Sequence, residues 1–390
     1  MTKSMIDRND LPEGEPRSSR TARAAVLIEP GSPVLVQSFH IPGLRSGEVH
    51  VDIELGGVCG TDAHIAGGYL PVPLPLILGH EAVGRVAETG GTVRDALGVE
   101  LRAGDLVTWA SSIPCGHCSA CALEGEHSLC ESRLIYGINQ PAQGEHALSG
   151  GWAERIILRP GSTIVKVPDG VTAEEVISLG CAGPTVVHGM LRIARPRAGD
   201  VVVVQGAGPV GLAAAIYARL SGARRIILVG GPAERLRLAS QMGLCDAIVD
   251  VTTTSVEERA ALVLAETPGG RGADLVVEAT GVPTAVAEGI DLTRRNGTYL
   301  VVGQYTDHGP TLINPHLITK KQLRVLGSWA FSGSHTLEYV QSLPIIAKQF
   351  DLRRLVTTFS LDEVADAMSA MREGRIVKAA LRRAEERRAA

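Results

Sequence analysis

From Arg23 to about Arg159 the chain runs in short apolar stretches cut by glycine and proline, among them EVHVDIELGGV, EAVGRVAET and GWAERIIL. In several of these, apolar and polar residues alternate, which is the period of a strand with one buried face. Turn residues recur at short intervals, so this part is predicted to be mainly β and barrel-like. The pattern changes near Gly199. GDVVVVQ is a continuous apolar run, suited to a strand covered on both faces. PVGLAAAIYARLSG follows as a helix that Gly222 closes, and RRIILVG with AERLRLASQMG repeats the pair. ADLVVEATG, GTYLVVGQ and QLRVLGSW continue the alternation, which predicts an α/β unit with a doubly wound parallel sheet. Beyond about Trp329, two amphipathic helical stretches are separated by LRRLVTTFSL, and a basic end rich in Ala and Arg follows.

At 390 residues, two domains are the natural expectation. The charges are mixed, 38 basic against 42 acidic, for a formal net charge of −4. This balance gives no reason to expect a nucleic-acid or anionic-membrane partner. The polar first 22 residues have no apolar run of the kind an export signal needs, and no membrane-spanning run follows. They are expected to form a flexible tail on a cytoplasmic protein. There are seven cysteines, an odd number, so clustered thiols point to metal before disulfides.

Four of them, Cys115, Cys118, Cys121 and Cys130, are spaced C-x2-C-x2-C-x8-C. Short Gly-, Ser- and Ala-containing spacers let the backbone wrap one ion, and Zn²⁺ accepts four thiolates tetrahedrally. An iron–sulfur cluster is the alternative. Four thiolates leave no open position, so a zinc here is expected to be structural. Glu124, Glu126 and Glu131 flank the cluster where a nucleic-acid finger would carry Lys or Arg.

A second donor set is scattered. GVCGTDAHIAGG supplies Cys59, Thr61, Asp62 and His64; LGHEAVGRV supplies His80 and Glu81; LGCAGPTVVHG supplies Cys181. Two thiolates and a neutral imidazole around Zn²⁺ would make a neutral site with a free position, as a Lewis acid requires. Further on, Gly206, Gly208 and Gly211 form G-x-G-x-x-G between a predicted buried strand and a predicted helix, the context of a dinucleotide-binding turn. Pro209 and Val210 complete that turn. The acid expected at the end of the second strand is absent. Gly230 and Gly231 stand there, so the usual bar to a 2′-phosphate is missing. Arg235 is either a contact for that end of the cofactor or a solvated helix charge.

CGTDAH, GHEAVG, the four-cysteine lobe, GCAGPT and GAGPVG occur in the order found in zinc-dependent medium-chain alcohol dehydrogenases, which the chain resembles from about residue 23 to near 385. The resemblance implies a GroES-like catalytic domain from residues 23–182 and 330–390, with the structural zinc lobe at 115–130. A Rossmann domain over 183–329 would interrupt it. It implies two zinc ions per chain: Cys59, His80 and Cys181 at the catalytic one, the four clustered cysteines at the other. Asp62 resembles the carboxylate that orients the ligand histidine, and Glu81 the acid that approaches the metal during ligand exchange. Thr61 and His64 match the proton relay. Thr185, Val302 and Gly303 resemble cofactor contacts. Some relatives carry a basic residue where Gly60 stands, so pyrophosphate binding would lean on backbone amides. The implied reaction is alcohol–carbonyl interconversion with NAD or NADP, in a homodimer or homotetramer. Polyol or threonine dehydrogenation is an alternative, and a zinc-free enoyl or quinone reductase is another. Trp109, Ser111, Tyr136 and Trp152 are either cleft wall or ordinary core or loop, and YGINQPAQGEHALSGG is a candidate for the cleft mouth.

Overall fold

The computed structural model describes residues 20–383. Its first part is built from β1 (Thr21–Leu27), β2 (Leu35–His40), β3 (Val49–Val58), β4 (Leu76–Ile77), β5 (Ala82–Thr89) and β6 (Leu106–Trp109). β7 (Ser112–Ile113) and β8 (Leu134–Ile135) form a ribbon that brackets the four-cysteine segment, and β9 (Arg155–Leu158) and β10 (Ile164–Lys166) complete this part. Helix α1 (Gly60–Ala66) follows β3 directly. α2 (Ala173–Ser178) and α3 (Ala182–Val186) lead out of the sheets, and α3 widens into a π-helical stretch, Val187–Ala194.

The alternating part holds β11 (Val201–Gln205), β12 (Arg225–Gly230), β13 (Ala247–Asp250), β14 (Ala273–Glu278), β15 (Thr293–Val301) and β16 (Arg324–Gly327). Helices α4 (Pro209–Leu220), α5 (Ala233–Gln241), α6 (Val256–Ala265), α7 (Pro283–Leu292) and α8 (Pro315–Lys321) cross between successive strands. The order is β13-β12-β11-β14-β15-β16, and every pairing is parallel. The chain reverses direction across the sheet between β11 and β14, and ligands bind outside the strand ends at such a switch point. β11 bears out its apolar reading. Val202 and Val204 join one core cluster and Val201 and Val203 another, so both faces are covered. Each fully buried valine contributes about 1.5–3 kcal/mol.

After β16 come α9 (Gly333–Gln349), β17 (Val356–Ser360), α10 (Val364–Arg372) and β18 (Lys378–Arg382). The last two strands return to the first part, whose larger sheet runs β10-β6-β5-β3-β18-β17 with β9 also on β3. The smaller sheet, β2-β1-β4, lies against it, with Val26 of β1 packed among Val51 and Val86. β1 starts at Thr21, so the strand takes in the end of the segment expected to be a tail. Residues 1–19 of that segment lie outside the described residues. No helix among the described residues is long and apolar enough to cross a membrane.

Candidate active site

Between the two parts lies a cavity of 390 Å³. On its floor, Cys59 stands at the turn from β3 into α1, His80 just before β5, and Cys181 just before α3. The Cys59 and Cys181 Sγ atoms are 3.4 Å apart although 122 residues separate them. Their sulfurs, a His80 nitrogen and a Glu81 carboxylate oxygen all lie within 4.8 Å of one another. Asp62 is fully buried beneath them. Its Oδ2 accepts the Cys59 N–H at 2.8 Å, its Oδ1 accepts the Gly79 N–H at 3.2 Å, and Oδ1 lies 3.6 Å from His80 Nδ1. That carboxylate therefore fixes the start of α1 and faces one edge of the imidazole, leaving the other nitrogen for the thiols.

The two thiols share one negative charge, Cys59 holding the Cys181 thiol well above its ordinary value. The hydrogen bond with Cys181 outweighs burial and holds the Cys59 thiol well below the ordinary range, with His80 assisting. Burial alone would push the His80 imidazole down, but Asp62 and Cys59 together hold it well above its ordinary value. The donor set fits Zn²⁺ in kind: two sulfurs 3.4 Å apart, an imidazole, and a buried His80 Nδ1 just short of hydrogen-bond reach of Asp62.

Both carboxylate oxygens of Glu81 are engaged. Its Oε2 accepts the Cys181 N–H at 2.6 Å, and its Oε1 is paired with the ammonium of Lys378 on β18. Sequence reasoning passed over Lys378, a lone basic residue near a basic end, because only the return of β18 to β3 brings it here.

His64 and Thr61 also line the cavity, but no hydrogen bond joins them among the described residues. Thr61 Oγ1 lies 4.0 Å from Cys59 Sγ. His64 Nδ1 is instead 2.5 Å from Thr306 Oγ1, on the loop after β15, and its ring meets the His308 ring edge-on at 5.4 Å. Burial pushes the His64 imidazole down, and His308 pushes it further. Thr306 and His308 carried no sequence signal because they lie in an irregular loop.

At the other wall, the N-terminus of α4 opens onto the cavity with Gly208, Pro209 and Val210. Gly206 has φ 117°, and a Cβ there would stand 2.7 Å from the Ala279 carbonyl oxygen, so only glycine fits. Gly211 packs its α-carbon against the Gly206 carbonyl. A Cβ on Gly208 would meet nothing within 4 Å, which leaves its backbone open to a ligand. Thr185, Val302 and Gly303 line the same space. Glu278, fully buried at the end of β14, accepts the N–H groups of Thr280 at 2.7 Å, Gly281 at 2.9 Å and Gly303 at 3.1 Å. It is a second residue that strand patterning alone passed over.

Gly230 does more than lack an acid: a Cβ there would stand 2.8 Å from the Ala207 nitrogen, so the turn leaves no room for one. Arg235 lines the cavity but is tied down, with Nε and Nη2 donating to the Ile376 carbonyl at 3.0 and 2.6 Å. The solvated reading of this side chain is thereby corrected. Of the suspected wall residues, Ser111 lines the cavity. Trp109, Tyr136 and Trp152 do not. They are core, with Trp152 Nε1 donating to the Gly57 carbonyl and the Tyr136 hydroxyl bonded to Ser162. Of the proposed mouth segment, Ile138 reaches the cavity.

The four-cysteine lobe stands apart. Its sulfurs lie within 4.8 Å of one another, Cys115 Sγ accepts the Cys118 N–H at 3.4 Å, and Cys130 Sγ accepts the Cys115 N–H at 3.3 Å. Backbone N–H groups of His117 and Cys118 hold the Cys115 thiol down at about 6.

Residues 45–169 match the alcohol dehydrogenase GroES-like domain and residues 209–348 the zinc-binding dehydrogenase family. The chain is 35% identical to 5-exo-hydroxycamphor dehydrogenase of Pseudomonas putida over 92% of its own length and 97% of that protein. The chain belongs to the zinc-dependent medium-chain alcohol dehydrogenases. An alcohol dehydrogenase from Thermotoga maritima superposes with a TM-score of 0.89 at 35% identity, covering 94% of this chain and all of that one. Benzyl alcohol dehydrogenase from Acinetobacter calcoaceticus does so at 0.80 and 26%, covering 94% and 100%. As a zinc-dependent alcohol dehydrogenase, the protein interconverts an alcohol and an aldehyde or ketone with a nicotinamide dinucleotide.

Proposed function

We propose that Cys59, His80 and Cys181 hold the zinc that serves the reaction, that Cys115, Cys118, Cys121 and Cys130 hold a second, structural one, and that the substrate is a bulky apolar alcohol. The observation that carries this reading is a single cavity with the Cys/His/Cys donors on its floor and the dinucleotide turn on its wall. When bound, zinc supplies Lewis acidity to an alcohol oxygen and the nicotinamide takes up the hydride.

The chain's own residues do the rest. Asp62 orients His80, and the Thr61 hydroxyl, beside Cys59, takes the alcohol proton at Oγ1 as it gives up its own toward His64. His64, with Nδ1 held by Thr306, is the outer station of that proton path. Glu278 aims the loops that carry Thr280 and Gly303 at the cofactor. Ile135, Ile138, Phe331 and Met371 give the cavity its apolar wall, which excludes water and suits a hydrocarbon frame over a polyol. The activities named for the camphor-alcohol and benzyl-alcohol relatives fit such a wall. With no carboxylate at Gly230 to repel a 2′-phosphate, and Arg235 tied to carbonyl groups, both NAD and NADP are accepted. The enzyme works in the cytoplasm as a homodimer or homotetramer. The short β16, at the open edge of the parallel sheet with Val325 exposed, suits contact with a second copy.

The test is a panel of cyclic secondary, aromatic primary, short-chain and polyol alcohols, run with each dinucleotide on protein of measured metal content. About two zinc ions per chain and highest kcat/KM on the cyclic or aromatic alcohols are expected. One zinc per chain, or a preference for polyols, would overturn the corresponding part.

A further inference from the structure

We infer that Lys378 keeps the fourth position of the Cys59–His80–Cys181 site open by holding Glu81 away from it. The inference rests on the reading of those three residues as zinc ligands. Glu81 follows His80 in the chain, and its carboxylate already lies within 4.8 Å of the three donor atoms. Carboxylate oxygen is a competent zinc ligand, and three donors plus Glu81 would complete a tetrahedron. With Glu81 resting there, an alcohol would have to displace it or force a fifth ligand onto the metal.

Both oxygens of Glu81 are engaged elsewhere. Oε2 accepts the Cys181 N–H at 2.6 Å and Oε1 is paired with Lys378 Nζ. Lys378 is only 1% exposed and 297 residues distant in sequence, and Glu81 is its one hydrogen-bond partner among the described residues. A buried lysine is costly unless it is paired, so the pair exists because the fold specifies it. The surroundings are shaped to the same end. A Cβ on Gly57 would stand 2.7 Å from Glu81 atoms, and one on Gly180 would stand 2.6 Å from Oε2. Glycine at both positions lets the carboxylate lie back from the thiols toward β18.

The charges then close in two neutral sets: Zn²⁺ with two thiolates, and Glu81 with Lys378. Without the ammonium, a buried carboxylate would be left beside a divalent cation, and turning Oε1 onto that cation is its best remaining satisfaction. Lys378 is thus a positioning residue that acts through Glu81.

Cobalt-substituted protein tests this, with imidazole as the probe of the open position and the visible cobalt spectrum as the readout. In the unaltered protein imidazole shifts the spectrum. Lys378→Met is expected to weaken imidazole binding at least about tenfold, a change of about 1.4 kcal/mol. The double variant Glu81→Gln/Lys378→Met, whose neutral amide is a poor ligand, should recover it. Loss of thermal stability with unchanged imidazole affinity would make Lys378 merely structural and overturn the inference. If Lys378→Met does not fold, Lys378→Gln carries the same test: unchanged imidazole affinity there overturns it equally. The underlying reading is checked separately by Cys59→Ser, which must cost one cobalt per chain. If it does not, the ligand set is wrong, whatever Lys378 does.

Discussion

Two groups of thiols are this protein's candidate metal sites, and they are built in opposite ways. The lobe of Cys115 to Cys130 takes all its donors from one loop, with Cys115 and Cys130 only 15 residues apart, and its own backbone amides support the sulfurs. The cavity floor gathers Cys59, His80 and Cys181 across 122 residues from turns before two helices and one strand, with Asp62 buried underneath. Four thiolates in the lobe would saturate an ion, whereas the three proposed floor ligands would leave one position open. A local cluster makes a staple; a dispersed one can be aimed at a cavity, because each donor arrives on a different rigid element.

The sharpest way to break this contrast is to remove one thiol from each. Cys59→Ala is expected to lower kcat/KM by about 10³-fold or more, because Lewis acidity supplies several kcal/mol, while the melting temperature and NADH binding stay near their original values. Activity surviving this change would show that the floor is not where the reaction occurs. Cys115→Ser should act in reverse, lowering the melting temperature by more than about 5 °C before turnover per folded molecule changes. Equal thermal stability would remove the staple from the account.

A smaller effect is expected on the nucleotide side of the cavity. Glu278→Gln puts an amide donor among N–H and O–H donors, leaving about 1–3 kcal/mol of polar mismatch in a fully buried place. NADH affinity measured by fluorescence should fall about tenfold, with zinc content unchanged. Unaltered affinity would mean the Thr280 and Gly303 loops hold their shape without it.

The smallest effect sets the conditions for the others. His335 on α9 stacks on His188 at 4.4 Å, and burial, then the neighbouring His188 and Arg192, push its imidazole down to about 4. Its folded value lies below its ordinary 6.5, so the unfolded chain binds the extra proton first. Stability from this residue is complete above about 6.5 and is lost as pH falls toward about 4. Melting temperatures across that window should decline, and His335→Gln should flatten the decline. If the variant's slope matches the parent's, other groups cause it. Comparisons of the two thiol sites therefore belong above pH 6.5.

Much of this was legible in the chain. Period-two runs, the all-apolar GDVVVVQ and the glycine turn before PVGLAAA determine strands, buried strands and a dinucleotide turn, because local backbone preference and burial period decide them. The four-cysteine spacing brings its four sulfurs together for the same reason: its partners are near neighbours. The scattered donors Cys59, His80 and Cys181 were legible as one set, and the fold brings their ligand atoms within 4.8 Å of one another. What only the tertiary structure decided is everything that depends on strands closing far from their place in sequence. The return of β18 to β3 buries Lys378 against Glu81; the loop after β15 brings Thr306 to His64; the end of β14 puts Glu278 beneath three amides. It also decided for core over cleft wall at Trp109, Tyr136 and Trp152, and tied Arg235 to the Ile376 carbonyl. Periodicity reports which face of a strand is buried, not what it is buried against. A side chain's partner is set by the three-dimensional closure of the sheets, and on that partner its chemistry depends.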